Sequence, residues 1–124
     1  MSWTHYQDLI VWQKAMDLVD EVYRLARLLP REEMFSLSDQ MRRAAVSIPS
    51  NIAEGHGRQT EKEFRQFLAV ARGSLYELET QLLIGMRQGY FTPDEAETAT
   101  RLCREVGKML TKMTIAPAPL KTEN

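Results

Sequence analysis

The chain has 124 residues, 44% hydrophobic and 27% charged, with six Gly and five Pro. That composition excludes a disordered chain and argues against a loop-rich all-β fold. Net charge is −1, so no global field draws in nucleic acid or an anionic membrane, and the single cysteine, Cys103, excludes an intramolecular disulfide.

The N-terminus, Met-Ser-Trp-Thr-His-Tyr-Gln-Asp, has no basic stretch leading into an apolar core, unlike a secretory signal. No run reaches the ~20 apolar residues of a membrane span. A cytoplasmic protein without membrane attachment is expected. Residues 1–115 read as one all-α domain and residues 116–124, with Pro117 and Pro119, as an unstructured tail.

The first helix is predicted from Leu9 to Leu29, capped by Asp8 and stopped by Pro30. It carries two apolar stripes. Leu9, Trp12, Met16, Val19, Tyr23 and Ala26 form one; Val11, Ala15, Leu18, Val22, Leu25 and Leu29 form the other. Steps of three and four keep each stripe on one face. Together they are wider than the ~100° an ordinary surface helix buries.

The second helix is predicted from Leu37 to Glu54. Ser36 and Asp39 approximate a capping box, and Gly55 and Gly57 end the segment. Pro49 lies inside it; proline removes a backbone donor and crowds the carbonyl four residues back, so a kink or break is expected there. Ser47, Ser50 and Asn51 are placed to satisfy the carbonyls so exposed.

Thr60 and Glu63 make a capping box for the third helix, and Gly89 is placed to end it in a left-handed turn. Phe64, Leu68, Ala71, Leu75, Leu78 and Leu82 step 4-3-4-3-4, a seam for side-by-side packing. At that length the helix spans about 42 Å. Glu77 and Glu79 point some 200° apart on it, so they cannot share one substrate atom; a structural role, one acid in solvent and one toward a basic partner, is the better reading.

Thr92-Pro93-Asp94-Glu95 supplies an N-cap, a first-turn proline and a first-turn acid for the fourth helix. Ala99, Leu102, Val106, Met109 and Met113 form its seam, and it ends near Ile115. Short connections make the four helices antiparallel neighbours, an up-down-up-down bundle. One stripe per helix fills such a core. The second stripe of the first helix, with Phe67, Val70 and Tyr76 off the seam of the third, predicts burial against another copy.

No constellation for catalysis emerges. His5 and His56 lack metal-ligand spacing, Cys103 falls beside the Leu102/Val106 face as a structural thiol, and Gly-His-Gly lacks the spacing of a dinucleotide loop. Neither an enzyme nor a cofactor is expected. Two basic groups are candidates for phosphate contact. One is Arg42, Arg43, Arg58, Lys62 and Arg65, within a segment from 40 to 76 that carries +3 while the remainder carries −4. The other is Arg101, Arg104, Lys108 and Lys112, spaced 3-4-4 along the fourth helix. Packing chemistry explains the first group's surroundings, and a solvated face explains the second, without a ligand.

The run Arg42-Arg43-Ala44-Ala45-Val46-Ser47-Ile48-Pro49-Ser50-Asn51-Ile52-Ala53-Glu54-Gly55, then Gly57-Arg58, resembles the four-helix-bundle family encoded in intervening sequences of bacterial 23S ribosomal RNA genes. Phe64-Arg65-Gln66-Phe67-Leu68, Ala71-Arg72-Gly73-Ser74-Leu75-Tyr76-Glu77-Leu78-Glu79-Thr80-Gln81-Leu82, Asp8-Leu9 and Val11-Trp12 extend the resemblance over about residues 6 to 113. It implies a four-helix bundle without enzymatic activity, assembled as a homopentamer like the similar accessory variability proteins of diversity-generating retroelements. It also implies association with ribosomal RNA or another nucleic acid; a protein-binding scaffold is the alternative. The residues matching the family motif are Arg42, Arg43, Ser47, Pro49, Ser50, Asn51, Glu54, Gly55, Arg72, Glu77 and Glu79.

Overall fold

Residues 5–115 are described by the computed structural model. A single 3-10 turn at Tyr6–Asp8 leads into helix α1 (Ile10–Ala26); a second, at Arg31–Glu33, precedes α2 (Leu37–His56); α3 (Glu61–Arg87) and α4 (Glu97–Ile115) follow. The expected tail and residues 1–4 lie outside the described residues.

The helix ends show which sequence signals were used. Asp8 does not cap α1: it belongs to the 3-10 turn, and Leu9 holds the cap position without a side-chain bond. The α-helix stops at Ala26, short of Leu29, because Leu28 and Leu29 donate to carbonyls only three residues back. Such tightening is common in a last turn. The expected Ser36–Asp39 box on α2 does not form either. Glu33 takes its place, accepting from Ser36 Oγ at 2.6 Å and from the Leu37 amide at 3.3 Å, while Asp39 turns to Arg43. A carboxylate is the stronger acceptor for an orphan amide.

The capping of α3 follows its sequence signals. The Glu63 amide donates to Thr60 Oγ1 at 3.1 Å. At the other end Gly89 has φ +77°, the Tyr90 amide donates to Gly85 O and the Gly89 amide to Met86 O. That pair of bonds is a Schellman motif, which needs the left-handed residue that glycine supplies. The α4 box closes in both directions, Glu95 N to Thr92 Oγ1 at 3.0 Å and Thr92 N to Glu95 Oε1 at 2.8 Å. The α-helix proper begins only at Glu97, after a turn over residues 93–96.

Pro49 sits inside α2 and the chain passes it without leaving the helix, so of the kink or break expected there, the break does not occur. Asn51 Nδ2 donates to Ser47 O at 2.8 Å and to Ser47 Oγ at 2.9 Å. The helix also runs through Gly55 to His56 rather than ending at Glu54.

Packing is antiparallel around a closed square, with α1 on α2 and α4, and α3 on α2 and α4. Side-chain contacts fix the direction. Along α2 and α3, Gly55 lies against Phe64 and Phe67, and Ser47 bonds Ser74; moving back on α2 moves forward on α3. Along α1 and α4, Lys14 meets Glu105 and Arg24 meets the Glu95 carbonyl. Along α3 and α4, Arg72 meets Thr114 and Leu75 faces Gly107. Ser38 Oγ donates to Ala26 O, joining the start of α2 to the end of α1.

The core is built from Leu18, Leu25, Met41, Ile48, Ile52, Leu68, Leu75, Leu78, Val106 and Leu110, each essentially fully buried. Each such side chain stabilises by about 1.5–3 kcal/mol. The predicted α3 seam is correct. On α4 the core stripe is rotated: Cys103 and Leu110 are buried, while Met109 and Met113 are half-buried at its edge.

Candidate interaction surfaces

The motif spanning Ser47 to Gly55 builds the α2–α3 seam. Ser47 Oγ and Ser74 Oγ share a 2.8 Å hydrogen bond, and Asn51 braces Ser47 from one turn along. Pro49 is buried; Ser50 is exposed. A Cβ added to Gly55 would sit 2.6 Å from Phe67 Cβ, so this glycine exists for close approach. Glu54 pairs with Arg58 at 3.0 Å, and the Arg58 guanidinium lies 4.8 Å from the Phe67 ring centroid. Arg72 reaches across to Thr114 Oγ1 at 3.0 Å.

The first basic group is not one patch. Arg42 and Arg43 lie near the start of α2, whereas Arg58, Lys62 and Arg65 cluster where α2 turns into α3. About 24 Å of helix separates Arg42 from Arg58. Arg43 is paired with Asp39, Arg58 with Glu54 and Arg65 with Glu61. The second group divides too. Arg101 pairs with Glu105, which also holds Lys14 at 2.9 Å; Lys14, then Arg101, keep the Glu105 carboxyl below its ordinary range. Arg104, Lys108 and Lys112 form no ion pair among the described residues.

A groove of about 620 Å³ runs between α3 and α4, lined by Tyr76, Glu79, Gly107 and Thr111 with Arg104 and Lys108 on its α4 wall. Glu79 is half-buried there, and desolvation pushes its carboxyl above the ordinary value. It forms no ion pair, so the basic partner expected for one of the two acids is not found among the described residues. Glu77 is exposed and accepts weakly from Gln81 at 3.4 Å. Cys103, under the groove floor, is buried, and burial with the Glu79 charge pushes its thiol up to about 12. A thiol held protonated in this way is a poor nucleophile.

Of the second α1 stripe, Leu9, Trp12, Val19 and Ala26 pack into the protomer's own core, so only part of the expected surplus is exposed, and part of the exposed apolar surface lies on two opposite edges of the square. Tyr23, Arg42 and Val46 line a second depression on the α1–α2 edge, and Met16, 40% exposed, continues it along α1. Tyr76 at 51% and Leu83 at 59% mark the α3–α4 edge. Val46, Leu83 and Phe35 went unnoticed as surface residues in the sequence. Leu83 follows Tyr76 by seven residues, a spacing that signals a shared face. Phe35, 89% exposed in the α1–α2 connection, has no periodicity to betray it.

Among the described residues, no three His, Cys, Asp or Glu side chains gather in a metal-binding group, and no helix is long and apolar enough to cross a membrane.

A family model of the 23S rRNA-intervening sequence protein matches residues 7–112. A crystal structure of a protein with unknown function from the S23 ribosomal protein family of Bacteroides thetaiotaomicron is similar at 26% identity, with a TM-score of 0.79, over 86% of this chain and 100% of that one. No curated protein matches the chain.

Proposed function

The chain belongs to the family of 23S rRNA-intervening sequence proteins, and from that premise we propose that it works without catalysis, as a helical bundle that assembles with copies of itself. The apolar residues on two opposite edges carry this reading: Met16, Tyr23 and Val46 on one, Tyr76 and Leu83 on the other. Such surface stabilises little in a monomer and is removed from water by association. Two different faces favour a head-to-tail contact, which closes into a ring when the rotation per copy allows. Five copies is the number the family resemblance implies. Light scattering at micromolar concentration is expected to give several times the protomer mass of 14.3 kDa; a single protomer mass would overturn the proposal.

A second reading is contact with RNA. Arg104, Lys108 and Lys112 step four residues apart along exposed α4 without an ion pair among the described residues. Repeated in a ring, they would add weak phosphate contacts into usable avidity.

A further inference from the structure

We propose that copies meet by the α1–α2 edge of one seated on the α3–α4 edge of the next, with Arg42 reaching the Glu79 carboxylate of its neighbour. The inference rests on the self-association reading and specifies its geometry. Three observations lead to it.

The first is topology. In a square ordered α1, α2, α3, α4, the α1–α2 and α3–α4 edges are opposite sides. Displacing one copy sideways, without turning it over, sets α1 beside the neighbour's α4 and α2 beside the neighbour's α3.

The second is level along the bundle. Ser47 stands opposite Ser74 on the antiparallel α2–α3 pair. Five residues back on α2 is Arg42, and five forward on α3 is Glu79. Arg42 and Glu79 are therefore at one height on opposite edges, and a sideways displacement brings one to the other without an axial shift.

The third is charge. Neither Arg42 nor Glu79 has an ion-pair partner among the described residues, although six other such pairs form there. Glu79 is the one carboxylate lining its groove and Arg42 lines the depression on the opposite edge. Apolar surface lies beside both, Tyr23 and Val46 by Arg42 and Tyr76 by Glu79, and the Asp39 carboxylate that shares the Arg42 depression is already held by Arg43. A two-fold contact of the α1–α2 edge with itself would leave Glu79 unanswered and the Tyr76–Leu83 surface bare.

The burial that raises the Glu79 carboxyl acts against its charge in the protomer, whereas an arginine arriving from outside favours that charge. Replacing Glu79 therefore has opposite effects on the two levels of structure.

The test is charge exchange, read as mass against concentration by sedimentation, with circular dichroism as the check on folding. Arg42→Glu alone and Glu79→Arg alone are each expected to weaken assembly by about tenfold or more. The two together in one chain are expected to restore it. Glu79→Gln is expected to raise the stability of the dissociated protomer while weakening assembly. If the unaltered chain is itself monomeric, the self-association reading fails and this proposal with it. If the unaltered chain assembles but the single reversals leave its mass unchanged, or the double reversal does not recover it, this docking is overturned and self-association stands. Loss of retention of a structured RNA on Arg42→Glu, at unchanged mass, would instead make this edge a nucleic-acid contact and also overturn the docking.

Discussion

Glu33 was unremarkable as a sequence position, yet it joins both loops at one end of the bundle. It accepts from Ser36 Oγ, from the Leu37 amide and from Tyr90 Oη at 2.8 Å, the last linking the α1–α2 connection to the turn before α4. Ser36 first, then Tyr90, then the Leu37 amide hold its carboxyl below the ordinary 4.5; Glu33 in turn raises the Tyr90 phenol above 10.0. The signs differ at the two ends of the pH scale. Glu33, depressed in the folded state, contributes stability that is full above pH 4.5 and lost as pH falls through its lower folded value. Tyr90, raised in the folded state, contributes below pH 10.0 and loses that contribution as pH rises through its folded value. Tyr90→Phe is therefore expected to lower the thermal midpoint at neutral pH, with the gap to the unaltered protein narrowing in acid and again above pH 10. A gap constant from pH 3 to pH 11 would show that the phenol–carboxylate bond adds nothing.

At the level of helices, glycines at 55 and 73 make a controlled comparison. Both lie inside helices, where alanine is intrinsically better by about 1 kcal/mol. At Gly55 the added methyl meets Phe67 Cβ at 2.6 Å and the Phe64 carbonyl at 3.3 Å, so α2 and α3 must separate. At Gly73 nothing lies within 4 Å. Gly55→Ala is expected to destabilise by about 1–3 kcal/mol and Gly73→Ala to be neutral or stabilising in urea denaturation of the protomer. Equal effects would mean that the α2–α3 seam tolerates a wider spacing, and that Gly55 is not a packing device.

For the molecule as a whole, the issue is how a bundle of net charge −1 would hold RNA. Four of its nine candidate cations, Arg43, Arg58, Arg65 and Arg101, are engaged by carboxylates four residues away in sequence. Each such exposed pair contributes little stability but reduces the local field. Arg104, Lys108 and Lys112 are the coherent remainder. If they contact phosphate, replacing all three by Gln is expected to flatten the dependence of log affinity on log salt by roughly 2–3 in filter binding, at unchanged mass. Absence of binding at low salt by the intact oligomer would remove the RNA reading. If the replacements lower the mass instead, the side chains belong to the copy–copy contact.

Apolar periodicity determined the four helices, the all-α class and the α3 seam, and the chemistry of single residues determined the caps at Thr60, Thr92 and Gly89. These depend on residues within a turn or two of one another, and local sterics and hydrogen bonding act over that range. What lies at the other end of a contact was not legible. Glu33 replaced Ser36 and Asp39 at α2 because a preceding 3-10 turn brought a stronger acceptor to the helix end. Gly55 proved a contact with Phe67 rather than a stop, because only the neighbouring helix shows how little room is left. The basic stretches were contiguous or periodic in sequence, but pairing with Glu and Asp divided them into engaged and unengaged side chains. Placing Arg42 and Glu79 at matching heights needs two separate helix registers, and those are set when antiparallel neighbours bury their seams together. A helix fixes its own faces through its 3.6-residue period; which face meets which, and at what height, is decided only by packing.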